Sequence, residues 1–175
     1  MSSAFWSGVL GGLPSCPMLP AVIMPSEAAR GLAAISALSV GAPARDPGAH
    51  AEQCAAELLA GNPRLRLGLV ATARPSDAIT VAGWQGAVNY TNDTAELSAV
   101  LRSWKKRFGA IVIGAGFAEL YLSVAAPPTT IEHAVNVAAE HFAFCPDNIW
   151  QGHSPDLTAY AERLVDTPLW SFWWD

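Results

Sequence analysis

His141, Cys145 and Asp147 stand close together in the run His141-Phe142-Ala143-Phe144-Cys145-Pro146-Asp147-Asn148-Ile149-Trp150, with His153 just beyond it. On a continuous helix His141 and Cys145, four residues apart, share a face, as a Cys–His pair or two metal ligands require. In an enzyme of hydrolase or transferase type, Cys145 would be the nucleophile, His141 its base and Asp147 the group that orients the imidazole. Pro146 weighs against this, because it ends a helix where the pair would have to form. A zinc site needs three or four ligands at recognisable spacings, and neither a CxxC nor an HExxH occurs, so no metal is expected. The plainer expectation is structural. Cys145 is then a small buried hydrophobe, Asp147 or Asn148 holds a turn through its side-chain oxygen, and His141 satisfies a backbone group.

A second candidate is aromatic. The chain holds seven tryptophans and closes on Leu169-Trp170-Ser171-Phe172-Trp173-Trp174-Asp175. Aromatic rings gathered at a cleft hold planar ligands or cations, but packing is the commoner reason for rings at strand or helix spacing. In an extended tail Trp170, Phe172 and Trp174 share one face and Leu169 and Trp173 the other. Trp173, and Trp150 in its expected loop, are the two that core packing does not claim. With Asp147 and Asp175 they form the expected binding set. Glu119, Asp147 and Asp175 could also converge as a glycosidase pair would, although spacing in sequence does not fix separation in space. Gly114-Ala115-Gly116 is no dinucleotide loop: it lacks the third glycine and leads into a strand. No cofactor is expected.

The elements that must position these residues are written most clearly after Asp93. Asp93 and Glu96 make a capping box. Leu97, Val100, Leu101, Trp104 and Phe108 then form one apolar helical stripe, with a basic last turn suited to the helix dipole and Gly109 as a left-handed cap. Residues 110–114 and 119–124 read as a half-buried β-hairpin, with Leu120, Leu122 and Val124 inward. Thr129 and Glu132 make a second capping box for a helix to about Phe142, and Ser154 before Pro155 opens a last helix. Upstream, residues 49–60 read as a helix stopped by Gly61-Asn62-Pro63, residues 65–71 as a strand, and Pro75 opens a short helix. Residues 1–30 read as coil anchored by Trp6 and Leu10, and residues 32–40 as a strand. A tail apolar on both faces reads as a strand interior to a sheet covered on both sides. The fold expected is therefore a layered α/β or α+β domain, helices packed on a sheet, with the aromatic C-terminal strand inside it.

Bulk properties narrow the partners. Half the residues are apolar (51%), 14% are charged and the net charge is −5, which suits a well-buried single domain. Nucleic acid is not expected, since its binding needs clustered cations to neutralise phosphates. The uncharged first residues are interrupted by Gly8, Gly11, Gly12, Pro14, Pro17 and Pro20 and lack a basic start, so neither a secretory signal nor a membrane span is expected. Three irregularly spaced cysteines, Cys16, Cys54 and Cys145, form no disulfide framework and point to a reducing, cytoplasmic setting.

Ala139-Glu140-His141-Phe142-Ala143-Phe144-Cys145-Pro146-Asp147 and the closing Phe172-Trp173-Trp174-Asp175 resemble the bacterial family catalogued as domain of unknown function 4253. Leu101-Arg102-Ser103-Trp104, Arg107-Phe108-Gly109 and Ala126-Pro127-Pro128-Thr129 fit the same pattern. The resemblance covers about residues 65–175, and residues 1–64 form a less regular part of the single domain. It implies one packed C-terminal unit and brings no activity with it. The reading favoured is a non-catalytic binding module, accessory or immunity-type, that holds a protein or small ligand on an aromatic C-terminal face. The enzyme built on Cys145, His141 and Asp147 is the alternative.

Overall fold

The computed structural model describes residues 45–154 and 156–175. The anchors Trp6 and Leu10 and the strand expected over residues 32–40 lie outside the described residues. Helix α1 (Pro47–Gly61) begins where the Asp46 carboxylate accepts from the Ala49 N–H and Pro47 fills the first turn. It stops at Gly61-Asn62-Pro63. A 3-10 turn (Pro75–Asp77) runs into the short α2 (Ala78–Val81). Helix α3 (Thr94–Phe108) is capped by the Asp93 side chain and closed by Gly109, whose φ of 62° is the left-handed cap that favours glycine. Strands β1 (Ile111–Ala115) and β2 (Glu119–Ser123) form the expected hairpin, followed by α4 (Ile131–Phe144), α5 (Asp147–Trp150), α6 (Leu157–Leu164) and β3 (Leu169–Trp173).

The three strands lie in the order β1-β2-β3, each pair antiparallel, with Leu120 opposite Phe172 and Leu122 opposite Trp170. The domain is a mixed, layered fold: α3 and α4 cover one face of the sheet, and α1 packs on β1 and β2. α1 comes close at Gly114, where a Cβ would meet Leu58 Cδ2 at 3.1 Å and Tyr121 Cδ2 at 3.2 Å. The core between the sheet and α3/α4 is aromatic. Trp104 stacks on Phe172 at 5.5 Å and meets Trp170 edge-on at 5.5 Å, while Phe144 meets Phe172 at 4.9 Å and Trp174 at 5.5 Å. Edge-on and offset contacts of this kind add to the burial of the rings.

Several expectations change in detail. Residues 65–71 form no strand: Leu67 and Leu69 are 81% and 94% exposed, so their alternation has no sheet to serve. Thr130, not Thr129, caps α4 by accepting from the His133 N–H, and Asp156, not Ser154, caps α6 through the Ala159 N–H. In both cases a neighbouring side chain with an acceptor oxygen wins the cap. β3 is not interior: among the described residues it pairs with β2 alone. What lies along its other edge is the centre of the site.

Candidate functional site

Trp170, Phe172 and Trp174 send their side chains into the core, and the Trp174 N–H bonds the Ala118 carbonyl on the β2 side. Ser171, Trp173 and Asp175, which alternate with them, turn their main-chain groups to the outer edge. Such groups on an edge strand invite another strand. Here side chains from the turn after α4 take them. The Cys145 thiol donates to the Trp173 carbonyl at 3.0 Å. Asn148 accepts from the Trp173 N–H at 3.1 Å and donates to the Ser171 carbonyl at 2.7 Å. The Asp147 carboxylate accepts from the Asp175 N–H at 3.2 Å. The Asn148 amide thus does what a neighbouring peptide group would do, since it offers one acceptor and two N–H donors. Pro146 ends α4 at the point from which these side chains reach β3.

The same turn is tied inward. Asn148 Nδ2 also reaches the Tyr160 hydroxyl at 3.2 Å, and that hydroxyl lies 3.0 Å from His141 Nδ1. A consistent chain runs from the Asn148 N–H to the Tyr160 oxygen and from the Tyr160 O–H to the imidazole. His141 then carries its proton on Nε2, which is buried without a partner among the described residues. Burial lowers the His141 pKa from 6.5 to about 3 and raises those of Cys145 and Tyr160 to about 12 each. The imidazole is neutral and the thiol keeps its proton.

His141 and Cys145 do share one turn of backbone, the Cys145 N–H bonding the His141 carbonyl. Their side chains do not pair: the ring faces Tyr160 and the sulfur faces β3. A Cys–His contact exists elsewhere, at the same four-residue spacing. On α1 the Cys54 sulfur lies 3.5 Å from His50 Nε2, which is itself 3.4 Å from the Pro168 carbonyl. The signal for it in the sequence was the repeated His-x-x-x-Cys. Both residues are buried, and burial raises the Cys54 pKa, so this thiol too stays protonated. Among the described residues no three His, Cys, Asp or Glu side chains gather as metal ligands.

The basic last turn of α3 divides its work. Arg107 is buried and turned inward onto Glu140 of α4: Nη1 donates to Oε1 at 2.8 Å, and Nη2 pairs with Oε2. Trp104 Nε1 donates to the same Oε2 at 2.7 Å. A buried ion pair needs such additional hydrogen bonds to offset desolvation. Only Lys105 and Lys106 remain at the surface as solvated cations on that turn.

Trp173 is 40% and Leu169 38% exposed on the sheet face away from the aromatic core. Trp150 lies in the short α5, not in a loop, and is 59% exposed with its ring edge-on to Phe142 at 5.2 Å. Asp147 also accepts from Gln151, and Asp175 is exposed with its carbonyl held by Asn89. Glu119 stands opposite Trp173 across the β2–β3 ladder, its carboxylate accepting from the Ala118 N–H. His153 is exposed.

Residues 66–175 match the family model described as domain of unknown function DUF4253, and the chain belongs to that family. No curated protein and no solved structure matches it. The residues that carried the resemblance are the ones seen here to hold the fold: Trp104, Arg107 and Glu140 join α3 to α4, and Cys145 and Asp147 fasten the turn to the terminal strand. No helix among the described residues is long and apolar enough to cross a membrane.

Proposed function

We propose that this protein is a non-catalytic interaction module, an accessory or immunity-type partner, which meets another protein through the aromatic surface at Trp173 and Trp150 beside Asp147 and Asp175. The observation that carries this reading is Trp173. It sits on a strand fastened along both edges, yet its ring is spared from the core and 40% exposed. A rigidly mounted, partly exposed tryptophan suits an interface hot spot, because little side-chain freedom is lost on contact. The enzyme alternative receives no comparable support. It asks for a thiolate beside an imidazole, whereas the Cys145 thiol donates to a carbonyl and His141 faces Tyr160.

The test is a pair of surface variants, Trp173→Ala and Trp150→Ala, measured for stability and for capture of binding proteins under the same conditions. The reading expects each to cost less than about 1.5 kcal/mol of stability and Trp173→Ala to lose a protein that the unaltered chain retains. A loss of about 3–5 kcal/mol, as for a core tryptophan, would return Trp173 to a purely structural role. Equal capture by all three proteins would also overturn the proposal.

A further inference from the structure

Away from the aromatic surface, the 3-10 turn and α3 enclose an open cleft of about 300 Å³ lined by Arg74, Ser76, Arg102, Lys105 and Lys106. Arg102, Lys105 and Lys106 are spaced i, i+3, i+4, which puts their side chains on one side of α3. Arg74 comes from the residue before the 3-10 turn. Four of the chain's ten basic residues, including both of its lysines, therefore meet at one place on a protein of net charge −5.

The guanidinium groups are held in place. Arg74 Nε donates to Asp77 Oδ2 at 2.7 Å and Arg102 Nη1 to Asp77 Oδ1 at 2.6 Å. The Arg102 bond, followed by that of Arg74, keeps the Asp77 carboxyl below its usual pKa, so the anchor stays charged. Asp77 does not itself line the cleft. Among the described residues no hydrogen bond takes either Nη group of Arg74 or the Nη2 of Arg102. Lys105 and Lys106 form no ion pair among the described residues. Dipole complementarity explains cations in the last turn of α3, but it does not explain Arg74, which is on another segment.

We infer that this cleft binds the phosphate monoester group of a small soluble molecule. The two planar guanidinium forks suit a tetrahedral oxyanion, the lysines add charge at its rim, and the buried Ser76 forms part of the wall. The volume lies at the lower end of the range for small-molecule sites, roughly 300–1,000 Å³.

The experiment titrates the full chain with phenyl phosphate by calorimetry, near neutral pH and at about 0.15 M salt, where loose surface attraction is screened. Saturable one-to-one binding with a Kd below about 1 mM is expected. Lys105→Gln/Lys106→Gln, both exposed positions, should weaken it about tenfold or more, because charge-assisted hydrogen bonds are lost. Arg45→Gln/Arg64→Gln removes the same charge from exposed sites outside the cleft and should leave the Kd within about twofold, the binding being local. Absence of saturable binding overturns the inference, as does equal weakening in both double variants. Vesicles containing phosphatidic acid distinguish a lipid headgroup: binding to them without binding of phenyl phosphate also overturns it.

Discussion

Asn148→Asp is the sharpest probe of the fastened edge, because it preserves shape and changes one hydrogen-bonding group. The introduced carboxyl can still accept from the Trp173 N–H. Its second oxygen, however, replaces the Nδ2 that lies 2.7 Å from the Ser171 carbonyl and 3.2 Å from the Tyr160 hydroxyl. Tyr160 is already placed to donate to His141 and does not readily turn to the new acceptor. Losing the Ser171 bond costs about 1 kcal/mol and facing two oxygens together adds about 1–2 kcal/mol more, so a deficit of roughly 2–3 kcal/mol is expected near pH 7. Divided by about 1.4 kcal/mol per unit, this raises the introduced group's pKa in the folded state by about 1.5–2 units above the usual 3.9 or so. A raised folded pKa means that the protonated form, which can donate to Ser171, is favoured by folding. The deficit should therefore be full near pH 7, shrink through about pH 5.5–6, and be smallest below about pH 4. Urea midpoints for the variant and the unaltered chain across this range read the gap directly. Asn148→Ala, with nothing to titrate, should show a gap that stays flat. A gap under about 0.5 kcal/mol near pH 7, or one as flat as that of the alanine variant, would refute the assignment of Asn148 as a surrogate strand.

Two further outcomes follow from the same turn. Cys145, held near pKa 12, should react with iodoacetamide only through opening of the fold, so its labelling followed by peptide mass spectrometry should stay far slower than that of the urea-unfolded chain at each pH between about 7 and 9 and should track stability. Labelling of the folded protein at a rate close to that of the unfolded chain, or one unchanged by added urea, would point to an accessible thiol. His141, lowered to about 3 from 6.5, binds its proton more readily when unfolded, so stability falls as pH drops below about 6.5 and should lose on the order of 2 kcal/mol by pH 5. His141→Gln lacks that penalty while sharing the other titrating groups. The stability difference between the two proteins must then narrow on acidification, and a constant difference would argue against a neutral buried imidazole.

Much of the fold was legible because local signals and packing agree. The apolar stripe of α3, its Asp93 start and its Gly109 stop all appear in place, as does the inward row Leu120, Leu122 and Val124. Residues 65–71 were misread because alternation predicts a strand only when a neighbour supplies the ladder, and sequence does not reveal the neighbour. The site was legible as a location but not as a mechanism. Sequence spacing placed His141 and Cys145 on one helical turn, which the backbone bears out. It could not show that β3 lies within reach of the sulfur, nor that Asn148 rather than Asp147 makes the greater part of the attachment. Likewise Arg107 reads as one more cation of the basic last turn, because its partner Glu140 is distant in sequence and belongs to another helix.

The occupied edge of β3 also constrains how a partner could approach. Adding a strand to a sheet requires free N–H and C=O groups along an edge. On β3 the Ser171 and Trp173 carbonyls and the Trp173 and Asp175 N–H groups are already taken by Cys145, Asp147 and Asn148. Strand addition there would first have to displace that turn, and with it the bond to Tyr160. A partner on the proposed surface must therefore read side chains, chiefly Trp173 and Trp150, and not the main chain of β3. This separates two roles along one strand: the main chain is spent on holding the fold, and the outward side chains are left for contact. Asn148→Asp and Trp173→Ala should accordingly act on different quantities, the first on stability and the second on partner retention.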